Sequence, residues 1–517
     1  MEKKDRGKEW IAILDFGSQY TQLIARRIRE FNVYSEIYPY DVDFSAWKDN
    51  LPKGIILSGG PDSVLNQNAP IMSKDIFLLD IPILGICYGC QLIAKLMNGE
   101  IEHSTKAEFG HTLVEIRKID TLFQGLPDEI STWMSHNDVI IKLPEGFQLS
   151  AVSQGEKIAA IVNDRKMIYG LQFHPEVTHT EYGKIILYNF VNHICQCSGN
   201  WTPQAFIDEQ IQVIQQKVGE GKVVAGVSGG IDSLVAAMMT HKAIGNHLYC
   251  IFIDTGLMRK NEAEEVKSIY REYFDIPLHD YDYSQEFIQA LKGITDPEEK
   301  RKTIGNLFIR IFEEKAKGIG KVTHLLQGTL YPDVIESVST KGPSAKIKSH
   351  HNVGGLPEKM NFKLLEPLKY LFKDEVRVIA QKLNIPEKII WRQPFPGPGL
   401  AIRVIGEVNF EKLKILREAD EIIREEVIHE GFNRTLWQYF GILLPIKSVG
   451  VMGDSRTYDY SLVLRIVTSD DGMTADWAKL PHDFLAKISN RLINQVKGIN
   501  RILYDISSKP PATIEWE

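Results

Sequence analysis

Cysteine is scarce in this chain: five in 517 residues, an odd number. A disulfide framework is excluded as the source of stability, and a reducing compartment fits, in which one thiol is free for chemistry. Long apolar runs are missing too. None approaches the ~20 residues that a bilayer-spanning helix needs. The charged stretch Met1 to Trp10 has no apolar segment behind it, so no signal peptide is expected. Neither sign of charge dominates. Sixty basic against sixty-seven acidic side chains leave a formal net charge of −7, which argues against broad binding to nucleic acid or an anionic membrane. A local basic patch for a phosphorylated small molecule is compatible with that balance. Internal repeats and low-complexity tracts are absent as well. What is there, 44% hydrophobic and 25% charged, is ordinary for a globular cytoplasmic protein. At about 100–200 residues per domain the length predicts about three domains.

Those domains are legible as changes of pattern. From Trp10 to about Gly199, short apolar strands (Trp10 to Asp15, Gly54 to Ser58, Pro82 to Ile86) alternate with amphipathic helices (Tyr20 to Phe31, Gln91 to Met97). Continuously apolar strands separated by helices imply a parallel sheet covered on both faces. A β-rich stretch follows near Gly146 to Gln172, then a helix from Lys184 to Ile194. A second doubly wound pattern begins after Ser198 to Pro203, where Thr202 is placed to cap a helix starting at Pro203. It comprises strands Lys222 to Ser228, His247 to Asp254 and Val322 to Gln327, with helices Ser233 to His241 and Glu262 to Phe274. The basic stretch from Thr340 to Gly355 has no periodicity and reads as a long mobile loop. Gln393 to Gly399 carries three prolines and two glycines, a break that neither helix nor strand interior accepts. Beyond it a strand near Ile402 to Val408, a helix from Glu411 to His429, strands within Pro445 to Val467 and a helix from His482 to Lys497 predict an α+β domain. The expected division is therefore 9–199, 200–392 and 393–517: two doubly wound α/β domains and a smaller α+β one.

Two segments carry chemistry. Gly85-Ile-Cys87-Tyr-Gly89 lies between a buried strand and a helix. Glycines on both sides permit a sharp turn that lifts the thiol out of the sheet beside a helix N-terminus, where thiolate is favoured. A cysteine is often only a small buried apolar residue, but His174-Pro-Glu176, at the end of the strand Ile168 to Phe173, shifts the balance. Residues i and i+2 of an extended segment share a face. Glu176 can thus orient one ring nitrogen of His174 while the other faces the thiol: nucleophile, base and orienting acid. In Ser58-Gly-Gly-Pro61, the N–H of Gly60, together with that of Tyr88, is suited to an oxyanion hole. Cys87 with Cys90, and Cys195 with Cys197, lack the companions of a zinc or redox site.

The second segment is Val227-Ser-Gly-Gly-Ile-Asp-Ser233. Consecutive N–H groups at a helix N-terminus cradle an anion, and Gly229 and Gly230 let phosphate approach the backbone. Ser228 and Ser233 add hydroxyl donors. Asp232 is an acceptor, which beside phosphate makes sense with Mg²⁺ between them. The Walker A lysine is absent, so this is a different loop.

Gly85 to Gln91 with His174-Pro-Glu176 resembles the class I (triad) glutamine amidotransferases. Ser228 to Ser233 resembles the loop of the ATP pyrophosphatases. The two in this order resemble the glutamine-hydrolysing GMP synthase family. Further matching segments are Leu14 to Thr21, Trp133 to His136, Ile253 to Arg259, Ile347 to Pro357, Pro396 to Arg403 and Lys509 to Glu517. Cys90 departs from the family, which usually has Met there, and puts a second thiol near the first.

The resemblance implies that Cys87, His174 and Glu176 release ammonia from glutamine. ATP would be a co-substrate, held by Ser228, Gly229, Gly230, Ile231, Asp232, Ser233 and Leu234 with Mg²⁺ on Asp232, and no redox cofactor is involved. XMP would be contacted by Arg301, Asp333, Glu336, Lys348, Arg501, Lys509, Ile514 and Glu515, and the third domain would form a homodimer. No nucleic-acid or membrane partner is implied. Two alternatives compete with this one. A tRNA-thiolating ATP pyrophosphatase would relay sulfur through Cys250 or Cys87, against which stand the net charge and the lack of a basic face. A nucleotide-sensing protein would have no use for an intact Cys87, His174 and Glu176.

Overall fold

The computed structural model describes residues 9–154, 156–338, 362–452, 455–469 and 474–517. The loop expected at Thr340 to Gly355 lies outside the described residues, as does Lys348. The chain divides into two compact units, Met1–Phe206 and Ile207–Glu517.

The first unit is built on a nine-stranded sheet. Its strands are β1 (Trp10–Asp15), β2 (Tyr34–Pro39), β3 (Gly54–Leu57), β4 (Ile83–Ile86), β5 (Glu100–Ile116), β6 (Glu129–Lys142), β7 (Gln148–Ser153), β8 (Ile158–Asn163) and β9 (Ile168–Leu171), in the order β2-β1-β3-β4-β9-β8-β7-β5-β6. From β2 to β9 neighbours run parallel, and β1, β3, β4 and β9 are buried almost throughout, as a doubly covered sheet requires. From β9 outward every pairing is antiparallel. The long β5–β6 hairpin escaped the apolar-run reading because its outer positions are polar: β6 alternates exposed and buried residues over most of its length.

The second unit carries a five-stranded, wholly parallel sheet, β12-β11-β10-β13-β14, from β10 (Lys222–Gly226), β11 (Leu248–Asp254), β12 (Leu278–Asp282), β13 (Val322–Leu326) and β14 (Lys363–Leu365). A second sheet contains β15 (Gln438–Met452), β16 (Ser455–Thr468), β17 (Asp476–Trp477) and β18 (Ile499–Tyr504), with β18 parallel to β16. Local signals start the helices, at Thr202 as expected and at two caps the sequence had not flagged. The Thr202 hydroxyl accepts from the Ala205 N–H at 3.2 Å, Asp296 caps the helix Pro297–Gly318, and Asn409 caps Phe410–His429. The strand expected near Ile402 to Val408 is instead a 3₁₀ turn, Gly399–Arg403, followed by a single bridge from Val404 to Leu443. Gly399 adopts φ +65° and packs against the Leu257 carbonyl, which bends the chain before a strand can start. One apolar cluster runs through Val224 and Ile251 of the parallel sheet to Leu400, Leu416 and Ile466, so residues on both sides of the proline-rich break share a core.

Candidate active sites

Strand β4 ends at Ile86, and the helix Tyr88–Leu96 begins two residues later. Cys87 bridges them at φ +51°, ψ −105°, a conformation L-residues rarely take. The flanking glycines are needed for space. A Cβ on Gly85 would lie 2.6 Å from the Gly89 carbonyl, and one on Gly89 would lie 2.5 Å from the Leu57 carbonyl oxygen. The Cys87 N–H donates to the Leu171 carbonyl at 2.7 Å, which ties the corner to β9.

The segment after β9 delivers the candidate base, His174. The His174 N–H donates to the Trp133 carbonyl at 3.0 Å, and His174 Nδ1 sits 2.7 Å from Glu176 Oε1, both side chains being buried. The imidazole lies beside the Cys87 side chain, since a Cβ on Gly59 would lie 3.0 Å from His174 Cε1 and 3.8 Å from Cys87 Cβ, and the Cys87 thiol donates to the Ser135 carbonyl at 3.6 Å. Burial opposes a charge on His174. The charge of the Glu176 carboxylate, its hydrogen bond to the ring and the neighbouring Cys87 side chain outweigh it and hold the imidazole well above its ordinary value. Other groups fix this pair. Thr180 Oγ1 donates to the His174 carbonyl at 2.6 Å and accepts from the Trp133 N–H at 3.0 Å, while Arg27 Nε donates to the Glu176 carbonyl at 3.1 Å. Neither Thr180 nor Arg27 stood out in the sequence. Trp133 and Ser135 lie in the segment Trp133 to His136, which the resemblance had flagged without a role.

Gly60 and Tyr88 are brought together. A Cβ on Gly60 would lie 3.3 Å from the Tyr88 ring and 2.8 Å from the Phe16 carbonyl, so the Ser58–Pro61 turn presses on the first residue of the helix. The Tyr88 hydroxyl donates to the Pro70 carbonyl at 2.7 Å, and burial raises its pKa, so the side chain is engaged away from the turn and the role expected of Tyr88 rests on its backbone N–H. Cys90 is turned the other way. Its sulfur would lie 2.6 Å from a Cβ on Gly170, and burial raises its thiol, so it is no second nucleophile.

In the second unit, β10 runs into the helix Ile231–Ile244 through the glycine loop. Gly229 has φ +76°, and a Cβ there would lie 2.4 Å from Val266. Ser228 and Gly230 are exposed, whereas Ile231 and Leu234 are buried and offer a ligand only their backbone. Ser233 Oγ donates to the Gly230 carbonyl at 2.9 Å. Asp232 is not free. Lys373, the first residue of the helix Lys373–Lys382, donates to both of its oxygens at 2.6 Å. No local signal pointed to this lysine, 141 residues away. A carboxylate that already attracts a cation at a helix N-terminus fits a hard, oxygen-seeking ion such as Mg²⁺.

The expected XMP residues are only partly assembled. Arg301 donates to the Glu517 carbonyl at 2.5 Å, which brings it to the tail that carries Ile514 and Glu515. Glu515 is held by Arg403, through Nε at 3.1 Å and NH2 at 2.7 Å. Ile514 packs against Phe440, Ile442 and Val463. Asp333 lies in the first turn of the helix Tyr331–Val338 and accepts from the Leu330 N–H at 3.0 Å. Glu336 is on the same helix, with its side chain outside the described residues. Arg501 is exposed on β18, with Nε 3.2 Å from Ser448 Oγ, and the Lys509 backbone pairs with Ala475.

Comparison with known proteins covers both units. The glutamine amidotransferase class-I model matches residues 12–194, the NAD synthase model residues 204–349, and the GMP synthase C terminal domain model residues 425–516. GMP synthase (glutamine-hydrolyzing) of Clostridium tetani is 54% identical over 510 residues, 99% of this chain and 100% of that one. Its counterpart in Clostridium kluyveri is 53% identical over 510 residues, again 99% and 100%. Among solved structures, a Thermoplasma acidophilum protein assigned as a GMP synthase subunit is 38% identical over 37% of this chain and 95% of that chain, at a TM-score of 0.35. With relatives above half identity over essentially their whole length, the chain belongs to the glutamine-hydrolysing GMP synthase family.

Proposed function

We propose that this chain frees ammonia from glutamine at Cys87 and uses it to convert XMP to GMP, splitting ATP to AMP and pyrophosphate. The observation that carries the reading is the strained Cys87 corner set beside His174, whose ring is hydrogen-bonded to Glu176. The thiolate attacks the side-chain amide carbon of glutamine, and the developing oxyanion meets the N–H groups of Gly60 and Tyr88. As the carbon–nitrogen bond breaks, His174 gives its proton to the leaving nitrogen, which departs as ammonia. His174 then takes a proton from the water that opens the thioester to glutamate. The charge of Glu176 keeps the imidazole protonated until that transfer.

In the second unit the loop from Ser228 to Leu234 receives ATP. Asp232 would hold Mg²⁺, which offsets the charge of the polyphosphate. Lys373 supplies the cation that the loop itself lacks. The xanthine oxygen of XMP attacks the α-phosphorus, and pyrophosphate leaves. Ammonia then adds to the activated carbon, and AMP leaves. Arg301, Asp333, Glu336, Lys348, Arg501, Lys509, Ile514 and Glu515 serve the XMP side. Ammonia is the nucleophile only while unprotonated, so its transfer needs shielding from water.

In this reading residues 9–199 are the amidotransferase part, 200–392 the ATP pyrophosphatase part and 393–517 a dimerisation part. Exposed Ile446, Val449, Val451 and Tyr458 along β15 and β16 support a homodimer, because paired strands rarely leave such apolar side chains to water. No described helix is long and apolar enough to cross a membrane. The test is direct. Purified protein given XMP, Mg-ATP and an ammonium salt should form GMP, AMP and pyrophosphate in equal amounts; absence of XMP-dependent pyrophosphate would refute the reading.

A further inference from the structure

We infer that Arg403 is a positioning residue for XMP, acting through Glu515; the inference rests on Glu515 being an XMP contact. Arg403 is fully buried at the end of the Gly399–Arg403 turn. Two of its nitrogens meet the two carboxylate oxygens of Glu515, at 2.7 and 3.1 Å. The Phe440 ring centroid lies 3.8 Å from the guanidinium carbon and that of Phe395 lies 5.3 Å away. Its third nitrogen faces Asp420 at 3.9 Å. Each side of the planar group is thus occupied, and the fork has one orientation available. The turn itself is tied to the segment leaving the parallel sheet, since the Leu400 N–H donates to the Leu257 carbonyl at 2.7 Å.

Two other buried cations hold the same tail differently. Arg465 donates to the main-chain carbonyls of Ser507, Thr513 and Ile514, and Lys300 binds the Glu517 carboxylate together with the carbonyls of Ala401 and Val404. Those contacts fix the path of the chain. Among the described residues, only Arg403 grips the Glu515 side chain, and it does so in the bidentate geometry that fixes a carboxylate's plane. Glu515 keeps 18% of its side chain exposed, and each carboxylate oxygen has a second lone pair with which to accept from a base N–H. Left alone, the same side chain would spread over several rotamers.

The test uses the full-length chain with ammonium as nitrogen source, and measures KM for XMP and for Mg-ATP in Glu515→Gln, Arg403→Lys and the double variant. Both single variants should raise the KM for XMP about tenfold, leave that for Mg-ATP within about twofold, and combine non-additively. An unchanged KM for XMP in Glu515→Gln would remove the premise that Glu515 contacts XMP. A raised value there with an unchanged one in Arg403→Lys, or independent effects in the double variant, would overturn the positioning role. A loss shared equally by both substrates, with a lower melting temperature, would mark Arg403 as merely structural. Should Arg403→Lys not fold, Glu515→Asp keeps the charge but withdraws it from the fork, and an unchanged KM for XMP there would equally overturn the inference.

Discussion

Both candidate sites occupy a corner where a buried parallel strand turns into a helix, Ile83–Ile86 into Tyr88–Leu96 and Lys222–Gly226 into Ile231–Ile244. In the first corner Cys87 is strained and buried, beside an imidazole already hydrogen-bonded to Glu176. In the second the glycine loop is partly exposed, and its acidic side chain is engaged by a lysine from a distant helix. The contrast follows from the chemistry. Covalent attack requires atoms preset within a few tenths of an ångström, because misplacement costs rate directly. A polyphosphate brings its own charge and can reorganise the cations around it.

The largest expected effect breaks the comparison outright. Cys87→Ala should abolish glutamine-driven GMP formation, by on the order of 10⁴-fold or more, because nothing replaces a missing nucleophile. The ammonium-driven reaction should be unchanged, since it bypasses the first corner. Loss of both activities would show that the thiol belongs to the synthetic step. Glu176→Gln comes next, with an expected loss of about 10²- to 10⁴-fold in glutamine hydrolysis. It also carries a sign. The negative charge of Glu176 holds the His174 pKa above its ordinary value, so neutralising it lowers that pKa. The imidazolium needed to protonate departing ammonia is then lost sooner as pH rises, and the basic limb of the rate profile should move to lower pH. A limb that stays in place or moves upward would contradict the assignment of the proton to His174.

How far the sequence reached differs between the corners for a physical reason. Gly85, Cys87 and Gly89 are adjacent in the chain, and the i, i+2 spacing of His174 and Glu176 is a local geometry, so the corner and the His174–Glu176 contact were readable from residue order alone. The glycine loop from Ser228 to Ser233 was readable in the same way. The ties made across long sequence separations were not: Lys373 to Asp232, Arg403 to Glu515, and Thr180 between Trp133 and His174. The β5–β6 hairpin was missed because its pattern is half polar. The strand expected after Pro398 failed because a left-handed glycine beneath an apolar run redirects the chain.

On the other side of the comparison, Asp232→Asn should raise the KM for Mg-ATP by about 10²-fold while glutamine hydrolysis persists, because the amide holds a hard cation weakly and also loses the charge facing Lys373. The isolated glutaminase reading guards against misfolding. Unchanged GMP synthesis at limiting Mg-ATP would remove the metal role from this residue.

The smallest effect tests how finely the thiol corner is set. Thr180 hydrogen-bonds neither Cys87 nor the Glu176 carboxylate, yet its hydroxyl joins the His174 carbonyl to the Trp133 N–H within a buried region. Thr180→Val keeps the shape and removes both hydrogen bonds, leaving a main-chain donor and acceptor without their partner. Such a deletion costs about 1–3 kcal/mol. Part of that cost falls on the orientation of the imidazole, so glutamine hydrolysis should drop about tenfold at constant ammonium-driven activity, a change worth ~1.4 kcal/mol in the barrier. Thr180→Ser, which restores the hydroxyl, should recover most of the rate. If valine serves as well as threonine in that assay, the base is held by the Glu176 contact and the Trp133 carbonyl alone, and the first corner tolerates the looseness that its chemistry was argued to forbid.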